Sequence, residues 1–105
     1  MRIVESGKVE AKNPTVLVGI PDVGLVGSIA MAHIIQTLEM KEIGSIQSED
    51  IPPVVIIHKN EPKPPIRIFN AKDLIVAMTE INLPPHVSAN LSRTIVEWAR
   101  KYDAN

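Results

Sequence analysis

The chain has 105 residues, 11 basic and 12 acidic side chains, a formal net charge of -1 and no cysteine. That length builds one domain, residues 1–105, around a modest core. The balanced charge supplies no field for nucleic acid, only Phe69, Trp98 and Tyr102 could stack on bases, and the missing cysteines exclude disulfides, thiolate catalysis and thiolate metal sites.

The opening MRIVESGKVE lacks the apolar stretch of a signal peptide, and no run approaches the roughly 18 apolar residues of a membrane span, so a cytoplasmic protein is expected. Residues 2–11 alternate loosely through Ile3, Val4 and Val9 and predict an edge strand or a short hairpin around Gly7. After Asn13-Pro14, residues 15–20 form a continuous apolar run of the kind found in a strand covered on both faces. A glycine-rich turn follows, and then a helix running from Gly24 or Leu25 to Leu38. Residues 41–47, with Ile43 and Ile46, are expected to return parallel to the first long strand by a right-handed crossover.

Pro52-Pro53 opens VVIIH, a second buried-strand pattern, and a proline-rich connection over 60–65 leads to IRIF at 66–69, spacing that suggests a hairpin between the two. Pro62, Pro64 and Pro65 stiffen that connection and discourage strand pairing along it. LIVAM at 74–78 predicts another strand, and Pro84-Pro85 marks the start of a last helix. In that helix Val87, Leu91, Ile95, Trp98 and Tyr102 share one face, which predicts one buried and one wet side. The first helix is different: between Leu25 and Ile35 only Gly27, Ser28 and His33 interrupt an apolar sequence that runs round the circumference. Such a helix needs cover on more than one side. Leu25, Val26, Ile29, Met31 and Ile34 are therefore the expected partner contacts.

The stretch VLVGIPDVGLVGSIA, residues 16–30, is where a phosphate site would sit if there were one. A Walker-type loop requires Lys and Ser/Thr after its last glycine, and this chain supplies Leu25 and Val26 after Gly24. A dinucleotide fingerprint requires a glycine where Asp22 stands, and the Asp22 carboxylate would repel pyrophosphate. Ser28 lacks the spacing of a nucleophile elbow, and His33, His58 and His86 fall on a helix, a strand end and a loop without paired ligand spacing, so no catalytic residue and no metal site is assigned. If the strands at 15–20 and 74–78 are parallel neighbours, their carboxyl ends bring the glycine turn and Glu80 to one rim, where α/β sheets place ligands. Asp22, Gly24, Gly27 and Glu80 are the candidate ligand residues on that reading. Glu49 and Asp50 are a second, solvated acidic pair.

At these residues the chain resembles the proteasome assembly chaperone 2 family, whose signature Pro-x-x-V-x-G-x-P-G-V-G-x-V-G here reads PTVLVGIPDVGLVG over residues 14–27. IGSIQSEDIPP at 43–53, IRIFNAKDLIVAM at 66–78 and the final amphipathic helix extend the likeness over nearly the whole chain. The resemblance implies a three-layer phosphorylase-like α/β fold, a mixed sheet flanked by helices, of which this chain would be the N-terminal part or a shortened member. It also implies binding rather than catalysis, without a cofactor, with self-association, proteasome α subunits or a paralogous chaperone as partners. Two departures bear on function. Asp22 replaces the second glycine of the turn, and the chain ends Asp-Ala-Asn, with Tyr102 too early for the hydrophobic-Tyr-any tail of chaperones that dock on the proteasome. The competing reading is a small-molecule or nucleotide-binding, enzyme-like domain, phosphorylase-like or linked to ATP-grasp ligases, with its site at the Gly24/Glu80 rim. The glycine turn holds no lysine or arginine to serve it.

Overall fold

A computed structural model describes residues 1–19, 26–51, 55–81 and 83–102; Ile20, the glycine turn through Leu25, Pro52-Pro53-Val54 and the terminal Asp-Ala-Asn lie outside the described residues. Its elements in chain order are β1 (Arg2–Glu5), β2 (Thr15–Gly19), α1 (Val26–Thr37), β3 (Lys41–Gln47), β4 (Ile56–His58), β5 (Glu61–Lys63), β6 (Ile66–Ala71), β7 (Leu74–Thr79), α2 (Pro85–Ala99) and a terminal 3-10 turn, Arg100–Tyr102. Five strands form one sheet in the order β1-β3-β6-β7-β2. β2 lies parallel to β7, and every other pair in the sheet is antiparallel.

The β6–β7 hairpin occupies the centre because its residues are apolar on both sides of the pleat. Val76, Met78 and Phe69 face one way, where α1 supplies Met31, Ile34 and Ile35. Ile66, Ile68, Ile75 and Ala77 face the other, where α2 supplies Leu91, Ile95, Trp98 and Ala99. Helix, sheet and helix make the three expected layers. Pro85 opens α2 at the first helical position, where its missing N–H costs nothing, and Val87, Leu91, Ile95 and Trp98 are the buried stripe.

Two expectations change, and β3 adds an irregularity. β3 does run in the direction of β2, but β6 and β7 lie between them, so the crossover spans the centre of the sheet. β3 also breaks strict alternation. A bulge between Glu42 and Gly44 lets Ile43 and Ile46, which alternation would put on opposite faces, both join the α2-side core. The expected hairpin between VVIIH and IRIF does not form: β4 pairs with β5 inside the proline-rich connection, and β6 pairs with β3 and β7. Lys59 and Asn60, both at positive φ, make the two-residue turn between β4 and β5. In such a hairpin the Ile57–Pro62 pair is not hydrogen-bonded, so the proline costs no ladder bond. This ribbon is not a buried strand of the core: Ile57 is 66% exposed, and Val55 just before it 59%.

Two close approaches fix the layers. A Cβ on Gly19 would stand 2.3 Å from Cγ of Met31, so the end of β2 must be glycine for α1 to sit where it does. A Cβ on Gly44 would stand 2.8 Å from the Val4 carbonyl oxygen, which lets β1 pair across the bulge. At the far end of the chain, Tyr102 donates a hydrogen bond to Glu5 Oε1 at 2.5 Å and packs edge-on against Trp98, with ring centroids 5.3 Å apart. Tyr102 is thus part of the fold's closure and not a free tail residue.

Gly19→Ala is expected to lower stability by about 1–3 kcal/mol through overpacking, and Gly19→Ala/Met31→Ala to cost less than the sum of its two singles; urea unfolding of all three variants checks both. The bond to Glu5, assisted by burial and by the Glu5 charge, pushes the Tyr102 hydroxyl up to about 12. An unfolded tyrosine releases its proton near pH ~10, before the folded one does, so the contribution of Tyr102 is complete below that pH and is lost as pH rises toward the folded value. Tyr102→Phe should therefore be less stable than the parent at neutral pH, with the difference shrinking through this alkaline window. Thermal unfolding of the two proteins in parallel measures it.

Candidate functional site

The parallel pairing of β2 with β7 sets Gly19 opposite Met78, so both strands end at one rim, and Glu80 follows β7 directly. The expected neighbourhood of Glu80 and the end of β2 is therefore present. Asp22, Gly24 and Leu25 fall outside the described residues, while Val26 and Gly27 stand in the first turn of α1.

Glu80 is not an open rim carboxylate. Its backbone N–H donates to the Pro65 carbonyl at 2.9 Å, and its Oε1 accepts a hydrogen bond from Nη2 of Arg67. Arg67 is the residue that sequence reasoning passed over. It projects from β6, on the same face as Phe69, and its guanidinium carbon lies 5.2 Å from the Phe69 ring centroid, a cation–π arrangement. Nη1 donates to Glu42 Oε1 at 3.3 Å, and Lys63 Nζ lies 3.8 Å from the same oxygen and 3.6 Å from Glu61. The chain of charges Glu80, Arg67, Glu42, Lys63 and Glu61 thus runs from the rim of β7 across the α1-side face of the sheet to the β4–β5 ribbon.

The signal for it in the sequence was a lone guanidinium in the apolar strand IRIF, with carboxylates at both of its future neighbours. Nothing in the spacing identified those neighbours, because Glu42 reaches Arg67 only through the antiparallel β3–β6 pairing. A base at Glu80 would first have to leave Arg67.

Of the predicted partner contacts on α1, Ile29 is 66% exposed, whereas Met31 and Ile34 are half-buried against the sheet. Leu38, just past the helix, is 50% exposed. α1 therefore keeps apolar residues on both its inner and its outer side. His33 and His86 are exposed, Glu49 and Asp50 are exposed, and the described residues hold no group of three His, Asp or Glu side chains placed for a metal ion. Phe69 and Trp98 are buried in the two cores, and among the described residues no helix is long and apolar enough to cross a membrane.

The Arg67 side chain is 7% exposed, against 27% for Glu42 and 24% for Glu80. Removing the carboxylates strands a buried cation, but removing the cation leaves two carboxylates that can turn toward water. Glu42→Gln/Glu80→Gln is expected to cost about 3 kcal/mol or more, and Arg67→Met markedly less, an order that urea unfolding midpoints read directly.

The sequence matches the PAC2 family over residues 16–105. It is 38% identical over 97 residues to the uncharacterized protein MJ0106 of Methanocaldococcus jannaschii, covering 92% of this chain and 41% of that one. The crystal structure of Pyrococcus furiosus PbaA, described as an archaeal homolog of proteasome-assembly chaperone, superposes with a TM-score of 0.84 at 33% identity, covering 98% of this chain and 45% of PbaA. That of Pyrococcus furiosus PbaB, described as an archaeal proteasome activator, gives 0.76 at 23% identity over 97% of this chain and 47% of PbaB, a likeness of fold. The chain spans less than half the length of each of these relatives. With the sequence match covering most of its residues and the three-layer architecture in agreement, the chain belongs to the PAC2 family, the proteasome assembly chaperone-like proteins.

Proposed function

We propose that this chain is a non-catalytic, cytoplasmic assembly factor that acts by binding protein, as a homo-oligomer or with a paralogue, and that proteasome α subunits are among its partners. The observation that carries this reading is the outer side of α1. Ile29 on α1 and Leu38 just past its end are exposed, while Met31, Ile34 and Ile35 already anchor the helix to the sheet, so this exposed apolar surface is surplus to the fold. The family of the chain and the description of PbaA supply the class of partner. The occupied Glu80 carboxylate favours binding over acid–base chemistry.

Analytical ultracentrifugation tests the reading. The parent chain is expected to self-associate at micromolar concentration and to co-sediment with proteasome α subunits. Ile29→Glu/Leu38→Glu should weaken association by about tenfold or more, since a charge placed in an apolar contact is left unpaired. Both positions are exposed, so its unfolding midpoint should stay near the parent's. A parent chain that remains monomeric removes the self-association, and one that ignores α subunits removes the chaperone role.

A further inference from the structure

We propose that β2 is the seam of a two-fold dimer, its open edge pairing antiparallel with β2 of a second copy about an axis at Leu17, so that the two sheets become continuous. This rests on the self-association proposed above and gives it a strand, a register and a symmetry.

β2 ends the sheet, and among the described residues no strand lies beyond it. The Thr15 N–H donates to the Asp73 carbonyl at 2.9 Å, on the β7 side. In an extended strand the N–H and C=O of one residue point to the same side and successive residues alternate. Thr15, Leu17 and Gly19 therefore bond β7, while Val16 and Val18 turn their backbone groups outward. An antiparallel copy centred on Leu17 sets Val16 opposite the partner's Val18 and Val18 opposite the partner's Val16, and each of these N–H and C=O groups finds a mate. Moving the axis to Val16 would set Val18 opposite the partner's Pro14, which has no N–H to give the Val18 carbonyl.

Charge selects a second copy as the occupant. A two-fold contact brings each residue close to its own equivalent, so an exposed charge near the axis meets a like charge. From Pro14 to Leu38 the sequence holds a single Asp, Glu, Lys or Arg, namely Asp22, in a chain that is 22% charged. α1, whose Met31 packs on Gly19 of β2, holds none. β2 also lacks the lysine or proline with which exposed edges are kept from pairing. The side chains suit the register. Val16 packs with the α2-side core and Leu17 with the α1-side core, so Val16 and the exposed Val18 form β-branched cross-strand pairs on one face, and Leu17 meets the partner's Leu17 on the other.

Hydrogen exchange of the chain followed by nitrogen-15 NMR, with analytical ultracentrifugation at the same concentrations, tests the pairing. The Val16 and Val18 amides are expected to exchange about tenfold or more slowly in the dimer than in the dilute monomer, whereas the Leu17 amide is protected in both. Val18→Pro removes an outward donor and no bond to β7, so it should sediment as a monomer at concentrations where the parent is dimeric, with its circular dichroism unchanged. Should that variant lose its fold, the amide exchange of the parent decides alone. A parent that associates while Val16 and Val18 stay unprotected, or a folded Val18→Pro that associates as tightly as the parent, overturns the pairing and leaves self-association through α1 intact. A parent that stays monomeric overturns both and leaves the edge to a strand of other polypeptide.

Discussion

Everything in this fold follows from the need to cover the β6–β7 hairpin on both faces. Ile66, Ile68, Ile75 and Val76 are fully buried, and the hairpin offers no polar side to water. One helix cannot cover two faces, so the chain spends α1 on one and α2 on the other. The order of the sheet obeys the same demand: β3 and β2, reached earlier in the chain, stand apart and leave the centre for the later hairpin. Buried Asn70, at the turn end of β6, ties this centre to its surroundings. Its Nδ2 donates to the Lys72 and Leu74 carbonyls at 3.1 and 2.9 Å, and its Oδ1 accepts from the Glu10 N–H at 2.9 Å. A polar residue with its donor and acceptor used inside the core fixes one register at little cost.

Period and punctuation made the strands at 15–19 and 74–79 and both helices legible, because each of these elements is decided by local pattern. Their pairing was legible only in part. The rim shared by β2 and β7 followed from the general behaviour of parallel strands, but the bulge in β3 could not be read. Beside it the Val4 carbonyl approaches Gly44 closely, a contact between residues forty positions apart in sequence. VVIIH misled for a complementary reason. Apolar composition signals burial on average, yet Ile57 belongs to a two-stranded ribbon in a sheet of its own, and it and Val55 just before that ribbon are exposed. The candidate site was missed where it mattered most, at Arg67, since a charge inside a strand is recognisable as a site only once its two counter-charges are in place.

The two edges of the sheet are built differently. β1 carries Arg2, whose guanidinium donates to Gln47, and Glu5, which holds Tyr102; charge and side-chain bonding protect that edge. β2 carries Thr-Val-Leu-Val-Gly, without a charge or a proline. It is also one of the two strands on which α1 rests. The undefended edge and the helix with apolar residues on its outer side therefore fall at the same end of the molecule. Both features are expected where a sheet meets further protein, and relatives twice as long as this chain have the polypeptide to supply it.

The ion pairs of Arg67 and the sequence of the glycine turn bear on the same question, the charge available to a ligand. A phosphate site at a strand-to-helix turn works by gathering uncompensated positive charge: free N–H groups, a helix dipole and a basic side chain. Here the Arg67 guanidinium is held by Glu42 and Glu80, and the sequence of the turn carries Asp22 and no lysine. Attraction for an anion has been spent internally, on joining β3, β6 and the end of β7. Arg67 is thus the internal electrostatic tie of this sheet, its two Nη groups taken by a carboxylate on β3 and by one just past the end of β7.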